Sequence, residues 1–545
     1  MDALFVAINA KYIHTNNAVR LLDANSQYDT DYIEFTIKDT QAAIIKTLLD
    51  IHPKIIGFST YIWNIDFIKA LIHELRLTYD GVIILGGPEV SYDAEPFLNT
   101  LPVDLIVKGE GEAVIDAVIK HYLNGDKLPL HNIAYKSKNT IINQPIEEIH
   151  DLSKLKTPYY NDKDIGDFSK KIAYIESSRG CPYRCSYCLS SLEKSVRFFP
   201  KETVKKDLLY LMNHGVKTFK FLDRTFNASK HMLDILDFII THHKESMVFQ
   251  FEITGDILDE SIVDYIHNNA PKHLFRFEIG IQSTHGVTNM LVDRKQNNER
   301  LFYIINKIRE AGIIDMHLDL IAGLPKETLP LFKHTFNKVY LLGAKELQLG
   351  FLKFLRGTKI RNEHRKFGYV FNALAPYEIQ KNNDLSERDI NTIKAVEHML
   401  NIFHNKGHFN GFVYEMITQY FTPFDFFHQL HTFIHDNNEK LLHYQLDELY
   451  TYLYKFLALN QVSDKDLFTL KITYLKHFKV KPKLFFNKVN DKNIKQVIFT
   501  HLTATTLHPL HDFYKHSIMV AHNDTYAVVL YKNNTAHLYT VKNPA

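Results

Sequence analysis

Short apolar stretches alternate with segments of helical spacing throughout the first part of the chain. Strands are predicted at 4–8, 32–37, 54–59, 82–87 and 103–107. Between them, 41–50 and 65–79 carry apolar residues three and four positions apart, which is typical of amphipathic helices. This order predicts a Rossmann-like, doubly wound parallel sheet whose ligand site lies at the carboxyl ends of its strands.

The same alternation resumes over residues 171–365. Six strands are predicted there, at 172–175, 218–223, 248–253, 274–283, 317–325 and 346–352. Six strand–helix units predict a partial (β/α)6 TIM-like barrel, and such barrels carry their functional groups at the carboxyl rim. The fold class expected for the chain is therefore α/β, with two parallel sheets.

Two other regions do not follow this alternation. Residues 131–170 are interpreted as a connector that contains a hairpin-like stretch at 132–145. Residues 366–545 are predicted to be mostly helical, with helices at 416–436, 438–459 and 464–478. Alternating patterns at 484–489, 496–501, 518–521 and 526–531 predict a small β or α+β end. The predicted domains are 1–130, 131–170, 171–365 and 366–545.

Composition narrows the class of protein. Hydrophobic residues make up 45% of the 545 positions, which is ordinary for a globular chain. The net charge of +2 gives no global electrostatic signal for nucleic acid, and no basic stripe or RNA-binding motif is recognised. No apolar stretch approaches the roughly 18 residues of a membrane span, and the N-terminus lacks a basic signal region. We therefore expect a cytoplasmic protein with no membrane partner.

The candidate chemistry is concentrated in three cysteines: Cys181, Cys185 and Cys188. The odd count and tight spacing disfavour disulfides. Structural zinc needs a fourth ligand, which one of the 30 histidines would have to supply from a distance. Three thiolates on one loop after a buried strand suit an iron–sulfur cluster best.

The Cys-x3-Cys-x-aromatic-Cys pattern, with Tyr187 as the aromatic residue, resembles the signature of the radical S-adenosylmethionine (SAM) superfamily. The resemblance implies that the three cysteines bind a [4Fe-4S] cluster whose fourth iron is left for SAM. Electron transfer would then cleave SAM, and the 5′-deoxyadenosyl radical would abstract hydrogen from a substrate. Such a cluster suits a reducing compartment.

Later segments are similar to the SAM-contacting elements of this superfamily. By position, the resemblance implies that Asp223 accepts from the SAM ammonium, that Glu278 contacts the ribose and that Arg294 lies near the carboxylate. The chain segment at Gly323 would run past the adenine of SAM. The remaining candidates of this set follow the fourth strand or lie in the cysteine motif: Gln282, Ser283 and Tyr187.

The loops of the first domain resemble a cobalamin-binding domain, through Gly-Gly-Pro-x-Val-Ser at 86–91 and Asp-x-Ile-Val-x-Gly-Glu-Gly-Glu at 104–112. The candidate cobalamin contacts are Asn9, Tyr12, His14, Ser59, Thr60, Trp63, Gly86, Gly87, Glu89, Gly109, Glu110 and Gly111. The Asp-x-His-x-x-Gly motif of methionine-synthase-type domains is absent, and His52 is interpreted as a helix-end residue. His14 remains either a residue that approaches cobalt or an ordinary loop histidine.

The combined resemblance implies a cobalamin-dependent radical SAM enzyme, with methyl transfer from methylcobalamin as the leading reaction. Cyclisation or rearrangement without methyl transfer stays open, as does a non-enzymatic cobalamin or redox sensor. The C-terminal region resembles an uncharacterised region found on some cobalamin-type members. The substrate, whether a small molecule, peptide or RNA, is not identified, and an electron donor such as flavodoxin or ferredoxin is expected.

Overall fold

The fold is described from a computed structural model, which covers residues 1–160, 167–409 and 411–542. The chain divides into two compact units. Unit 1 comprises Met1–Thr335 and Gln348–Ile390, and unit 2 comprises Phe336–Leu347 and Asn391–Ala545. Among the described residues, no helix combines the length and apolar character that crossing a bilayer requires.

The first sheet of unit 1 has seven strands in the order β2-β1-β3-β4-β5-β6-β7. Its strands are β1 (Ala3–Asn9), β2 (Thr30–Thr36), β3 (Ile55–Ser59), β4 (Val82–Gly86), β5 (Leu105–Val107), β6 (Ile133–Ser137) and β7 (Thr140–Asn143). The helices between them are α1 (Asn17–Asn25), α2 (Gln41–Ile51), α3 (Ile65–Leu75), α4 (Pro88–Ser91), α5 (Ala94–Thr100) and α6 (Ile115–Asn124). β1 to β5 pair in parallel, as the alternation predicts.

The hairpin predicted in the connector exists, and it continues the first sheet. β6 pairs antiparallel with β5, and β7 pairs antiparallel with β6. Part of the predicted connector, residues 161–166, lies outside the described residues. The expectation that His52 ends a helix is confirmed, since it caps α2 in the left-handed conformation.

The second sheet of unit 1 has six strands in the order β15-β14-β13-β12-β11-β8. They are β8 (Ile172–Ile175), β11 (Thr218–Phe221), β12 (Val248–Ile253), β13 (Phe275–Gln282), β14 (Asp315–Ala322) and β15 (Glu346–Phe351). A short antiparallel ribbon, β9 (Ser178–Arg179) and β10 (Arg197–Phe198), follows β8. The helices are α7 (Lys201–Asn213), α8 (Met232–His242), α9 (Glu260–Asn269), α10 (Gly286–Leu291), α11 (Asn298–Ala311), α12 (Leu329–Tyr340) and α13 (Lys359–Asn362).

Residues on one face of the second sheet pack under helices, whereas the other face is polar. In β12, Phe249, Phe251 and Ile253 are buried while the residues between them are partly exposed. β13 alternates in the same way. Because successive side chains point to opposite faces, the polar residues of neighbouring strands share one face of the curved sheet. After β15 come the short pair β16 (Val370–Phe371) and β17 (Ile379–Lys381) and helix α14 (Glu387–Leu400).

Unit 2 is helical with an antiparallel three-stranded sheet at its end. Its helices are α15 (Phe412–Tyr420), α16 (Pro423–Asp436), α17 (Leu446–Leu459), α18 (Asp464–His477), α19 (Lys492–Thr505) and α20 (Leu510–His516). The strands are β18 (Ser517–His522), β19 (Thr525–Lys532) and β20 (Thr535–Lys542).

Four predictions for unit 2 are wrong. The helix expected at 438–459 begins only at Leu446. The single helix expected at 416–436 is two helices, because Phe421 is extended and Pro423 starts a new helix. Residues 484–489 form no regular element. Residues 496–501 lie inside α19, where the Asp491 side chain caps the helix by accepting from the backbone N–H groups of Asn493 and Ile494.

Candidate functional site

The three cysteines lie on the loop that follows β9: Cys181, Cys185 and Cys188. All three are free thiols, and Cys185 is buried. The loop is fixed from two sides, since Ser186 N donates to Val292 O over 2.9 Å and Ser186 O accepts from Ile360 N over 3.0 Å. The three thiols form no disulfide with one another and are held on one anchored loop, so they are available to ligate a metal cluster.

Gly180 gives the cysteine loop its entry angle. Its φ is +91°, and a Cβ at this position would lie 2.1 Å from Ser195 O. No other residue would fit between the β9–β10 ribbon and Cys181 without displacing backbone.

Arg294 lies beside the buried cysteine. Its Nη1 is 3.9 Å from Cys185 Sγ and 3.4 Å from the Tyr187 hydroxyl, and its guanidinium also donates to Gly280 O. Burial raises the pKa of the Cys185 thiol, and the positive charge of Arg294 opposes that shift. A cation next to a thiol favours the thiolate, which is the form that ligates metal.

Asp223 is buried beneath the cysteine loop. Its carboxylate accepts from Ser177 N over 2.9 Å, from Ser177 Oγ over 2.5 Å and from Ser178 Oγ over 2.6 Å. Burial raises its pKa to about 6. The carboxylate that was expected to meet the SAM ammonium therefore already positions the two serines that lead into β9.

Glu278 lies on the polar face of the second sheet. Its Oε2 accepts from Gln250 Nε2 over 2.6 Å and from Lys220 Nζ over 3.3 Å. Ligand atoms of Glu278, His317 and Asp319 lie within 4.8 Å of one another. The ammonium of Lys220 already neutralises part of this cluster, so it resembles a site for a polar organic group more than a metal site.

Three further SAM candidates lie at the carboxyl ends of β13 and β14: Gln282, Ser283 and Gly323. Ser283 Oγ donates to Glu327 Oε1 over 2.5 Å, and Thr335 Oγ1 donates to the same oxygen over 3.1 Å. Burial raises the pKa of Glu327 to about 7. Gly323 has φ +99°, and a Cβ there would lie 2.7 Å from the Ile379 side chain. Gln282, with φ +65°, turns the chain at the end of β13.

A cavity of about 990 Å³ lies between the loops of the first sheet and the cysteine loop, within unit 1. It is at the upper end of the volumes typical of cofactor sites. The candidate cobalamin residues that line it are Asn9, His14, Ser59, Trp63, Gly86, Gly87, Glu89, Gly109, Glu110 and Gly111. Facing them, the cavity is lined by Arg179 of β9, Gly180 of the cysteine loop and Arg224, which follows β11 of the second sheet.

Two candidates do not reach this cavity. Thr60 is fully buried and donates its hydroxyl to Gly86 O over 2.7 Å. Tyr12 is exposed and donates its hydroxyl to Asp167 over 2.8 Å. Neither lines the cavity, so the structure gives them structural contacts instead.

The loop glycines serve packing within the chain. A Cβ on Gly87, where φ is +101°, would lie 2.4 Å from Thr60 O. A Cβ on Gly109 would lie 2.8 Å from the Ile146 side chain. The groups that approach these glycines closely are therefore parts of the protein, and the cavity itself supplies the room for a bulky ligand.

Aromatic side chains and His14 complete the wall. Trp63 stacks on Tyr61 with ring centroids 4.3 Å apart, and 47% of its surface remains exposed. His14 Nδ1 is 2.7 Å from the Tyr174 hydroxyl, which leaves Nε2 as its other ring nitrogen. A flat exposed indole in a large cavity fits the face of a macrocycle.

Charged residues join the two walls. Arg197 Nη1 donates to both carboxylate oxygens of Glu110, over 2.9 and 2.8 Å, and Arg179 contacts Glu110 over 3.2 Å. Arg179 also contacts Glu112 and Glu176, over 2.8 and 3.0 Å. Burial pushes the pKa of Glu110 upward, but hydrogen bonding by Arg197 and the charges of both arginines hold it below its ordinary value. Glu110 therefore ties the first sheet to the ribbon before Cys181.

The chain matches three family models in succession. A B12 binding domain matches residues 4–119, and the radical SAM superfamily matches residues 175–339. Residues 365–530 match a protein of unknown function, DUF4080.

Curated relatives match parts of the chain. An uncharacterized methyltransferase of Pyrococcus horikoshii is 27% identical over 216 residues, 37% of this chain and 47% of that protein. The cobalamin-dependent radical SAM methyltransferase TokK of Streptomyces tokunonensis is 21% identical over 324 residues, 54% of this chain and 46% of TokK. The chain thus spans about half the length of each of these two relatives.

Solved structures share the fold. The cobalamin-dependent SAM radical enzyme OxsB aligns over 87% of this chain and 79% of its own, with a TM-score of 0.61 and 16% identity. The radical SAM methyltransferase TsrM of Kitasatospora setae aligns over 68% of this chain and 76% of its own, with a TM-score of 0.57 and 15% identity.

The second sheet and its cysteine loop therefore belong to a radical SAM domain, which the chain carries at residues 175–339. More particularly, a B12-binding domain precedes that domain and a C-terminal domain of unknown function follows it. The cofactors of the chain are a [4Fe-4S] cluster, SAM and cobalamin. Radical SAM enzymes in general require a reductant and a substrate.

Proposed function

We propose that this chain is a cobalamin-dependent radical SAM methyltransferase. The observation that supports the proposal is the shared cavity of unit 1, which is lined both by the first-sheet loops and by Gly180, the residue before the first cysteine. Bound there, cobalamin would carry the methyl group, and the cluster with SAM would supply the radical that activates the substrate.

Cys181, Cys185 and Cys188 would hold the cluster. The chain has only these three cysteines, so the set matches a cluster that takes three protein ligands. Asp223 orients Ser177 and Ser178 beneath the loop, and Arg294 donates toward Cys185. These residues set the position and charge of the loop.

Residues at the carboxyl ends of β13 and β14 would hold SAM. Glu278 offers a carboxylate to hydroxyl groups, while Ser283 is fixed by Glu327. Gly323 keeps its own segment close to Ile379. The polar face that includes Lys220 and Asp319 would orient the substrate.

The test is anaerobic purification of the full chain, followed by counts of iron and corrin and by addition of SAM and a reductant such as dithionite, with flavodoxin or ferredoxin as the proposed physiological donor. We expect about four irons per chain, a corrin spectrum and release of 5′-deoxyadenosine with S-adenosylhomocysteine. Cys185→Ala should abolish iron binding and deoxyadenosine release while corrin binding persists.

Other outcomes would replace the proposal. Deoxyadenosine without S-adenosylhomocysteine would indicate cyclisation or rearrangement without methyl transfer. Corrin binding without SAM cleavage would indicate a sensor. One zinc and no iron would contradict the assignment of the three cysteines.

A further inference from the structure

Unit 2 carries a dense run of lysines that the overall net charge of +2 conceals. Residues 471–495 contain eight lysines and a single acidic residue, Asp491. The lysines are Lys471, Lys476, Lys479, Lys481, Lys483, Lys488, Lys492 and Lys495. No arginine occurs beyond residue 388.

The structure places this run at the end of α18, along the irregular segment 478–491 and at the start of α19. Six of the lysines are exposed: Lys476, Lys479, Lys481, Lys483, Lys488 and Lys492. We call this set the lysine surface. It is built on a segment without regular secondary structure, which nevertheless has several fixed contacts.

Hydrogen bonds to backbone carbonyl groups hold the segment in place. Lys481 Nζ donates to Lys515 O over 2.5 Å, and Val489 N donates to Met519 O over 2.9 Å. The Tyr474 hydroxyl donates to Lys483 O. The lysine surface is therefore preorganised by α20 and β18 and does not depend on a ligand for its shape.

Tyr474 of α18 and the phenylalanines of the segment pack edge to face. Ring centroids of Tyr474 lie 4.9 Å from Phe478 and 4.9 Å from Phe485, and Phe485 lies 4.9 Å from Phe486. These phenylalanines are partly buried, so they support the lysines from below. Val480, 63% exposed, is the one large apolar side chain of the described segment that is available to a lipid layer, and a membrane anchor needs a broader apolar face.

The ammonium groups repel one another. Partial burial, followed by the charges of Lys488 and Lys495, lowers the pKa of Lys481. Within the described part of the chain, no member of the lysine surface forms an ion pair with a carboxylate. The charge of Lys483 helps to lower the pKa of Glu448, but it forms no ion pair with that carboxylate, so an external anion would relieve the remaining repulsion.

The spacing of the lysines indicates which anion. Lys479, Lys481 and Lys483 occupy every second position of the irregular segment, so the Cα atoms of neighbouring lysines in this set are at most about 7 Å apart. A repeating line of point charges matches a repeating polyanion, and lysine contacts phosphate without the bidentate geometry that arginine brings. A folded acidic protein presents carboxylates at irregular spacing.

We propose that the lysine surface of unit 2 binds the phosphodiester backbone of single-stranded nucleic acid, without reading its sequence. The proposal concerns binding and does not depend on the chemistry of unit 1. If the proposed methyltransferase function holds as well, it favours RNA among the substrate classes left open.

The experiment measures fluorescence anisotropy of a labelled 20-nucleotide oligouridine, and of its oligodeoxythymidine counterpart, with the full-length protein. We expect binding that weakens linearly on a log–log plot against salt. Lys479→Gln/Lys483→Gln/Lys488→Gln, which keeps the Lys481 contact to Lys515, should weaken binding at least about tenfold and reduce the salt slope by roughly 2, since each phosphate contact to a single strand contributes about 0.7. Tighter binding of oligouridine would assign RNA, and equal binding would assign the shared backbone.

The matched control is Lys38→Gln/Lys46→Gln/Lys136→Gln, which removes the same charge from exposed lysines of the first sheet region. It should leave affinity within about twofold. The proposal is overturned if neither oligonucleotide binds at 50 mM salt, or if both triple variants weaken binding equally. It is also overturned if only phosphatidylserine vesicles or an acidic ferredoxin bind. None of these readouts involves SAM, iron or corrin, so failure here leaves the proposed function intact.

Discussion

Charged side chains have opposite environments in the two units: they are buried and paired in one, and exposed and without ion pairs in the other. Around the cavity of unit 1, Arg179 and Arg197 are largely buried and each contacts several carboxylates. On the lysine surface of unit 2, the ammonium groups are exposed and, within the described residues, form no ion pair. Buried, paired charges fix geometry, and exposed, unpaired charges attract ligands in a salt-dependent way. The difference separates a positioning role from a recruiting role.

Glu327 is an exception to the rule that buried charges of unit 1 are paired. It is a buried carboxyl whose described hydrogen-bond partners are hydroxyl groups. Its pKa of about 7 means that the folded chain keeps the proton while the unfolded chain loses it as pH rises from about 4.5 toward 7. Glu327→Gln should therefore raise stability by up to about 3 kcal/mol at pH 8 and change it little at pH 4. Urea denaturation at both pH values measures this, and an equal effect at both would contradict it.

Glu110 tests whether a buried ion pair of unit 1 stabilises the fold. Glu110→Gln leaves Arg197 with a weaker partner in a largely buried position, and should lower the free energy of unfolding by about 2 kcal/mol at pH 7. Because the pKa of Glu110 is held low, this difference should disappear as pH falls through that pKa. Thermal denaturation of the full chain in low and high salt is the measurement.

The control for Glu110 is Glu74→Gln, which alters an exposed carboxylate of α3. It should change stability by less than about 0.5 kcal/mol. Equal losses in the two variants, or a loss that high salt removes, would show that the Glu110 pair behaves like a surface ion pair.

Arg294 tests whether a single positioned charge reaches the cluster. Arg294→Met removes a donor 3.9 Å from Cys185 Sγ and should make the cluster harder to reduce. A lost charge-assisted hydrogen bond of about 1.4 kcal/mol corresponds to roughly 60 mV for one electron. An EPR-monitored redox titration gives the midpoint potential. Arg294→Lys keeps the charge and should shift it less, so equal shifts would assign the effect to packing.

The smallest effect is expected on the stability of unit 2. The Lys479→Gln/Lys483→Gln/Lys488→Gln variant removes exposed charges that form no ion pair, and should change the free energy of unfolding by no more than about 0.5 kcal/mol. Thermal denaturation checks this. A loss of several kcal/mol would show that the lysine surface has a structural role.

The alternation of apolar strands with helical segments along the chain was sufficient to predict both parallel sheets. Strands such as β1 were recognisable because a fully buried strand is a continuous apolar run. Hydrophobic alternation failed at 496–501, where alternating residues lie within α19 and the Asp491 cap decides the conformation. The third strand of the terminal sheet, β20, was not predicted, since its pattern is mostly polar and partly exposed.

The sequence predicted those site residues that lie in motifs directly after predicted strands, and it missed the others. The cysteine loop and the glycine-containing loops occupy strand ends, as expected. Arg179 and Arg197 were missed because only the β9–β10 pairing places them opposite each other. Glu327 was missed although it follows the Gly-Leu-Pro turn after β14, where a buried acid next to Ser283 gives no signal in sequence. The charge density of 471–495 was visible, but the net charge obscured it.

The backbone contact between the two halves of unit 1 has an evolutionary consequence. Ile172 N donates to Ile13 O over 2.8 Å, and the first-sheet loop at His14 bridges to the start of β8. A B12-binding module taken from another protein would have to bring a matching loop edge as well as its cofactor site. The two modules are therefore expected to be inherited as a pair, and a recombination point between them would be tolerated only where this edge is preserved.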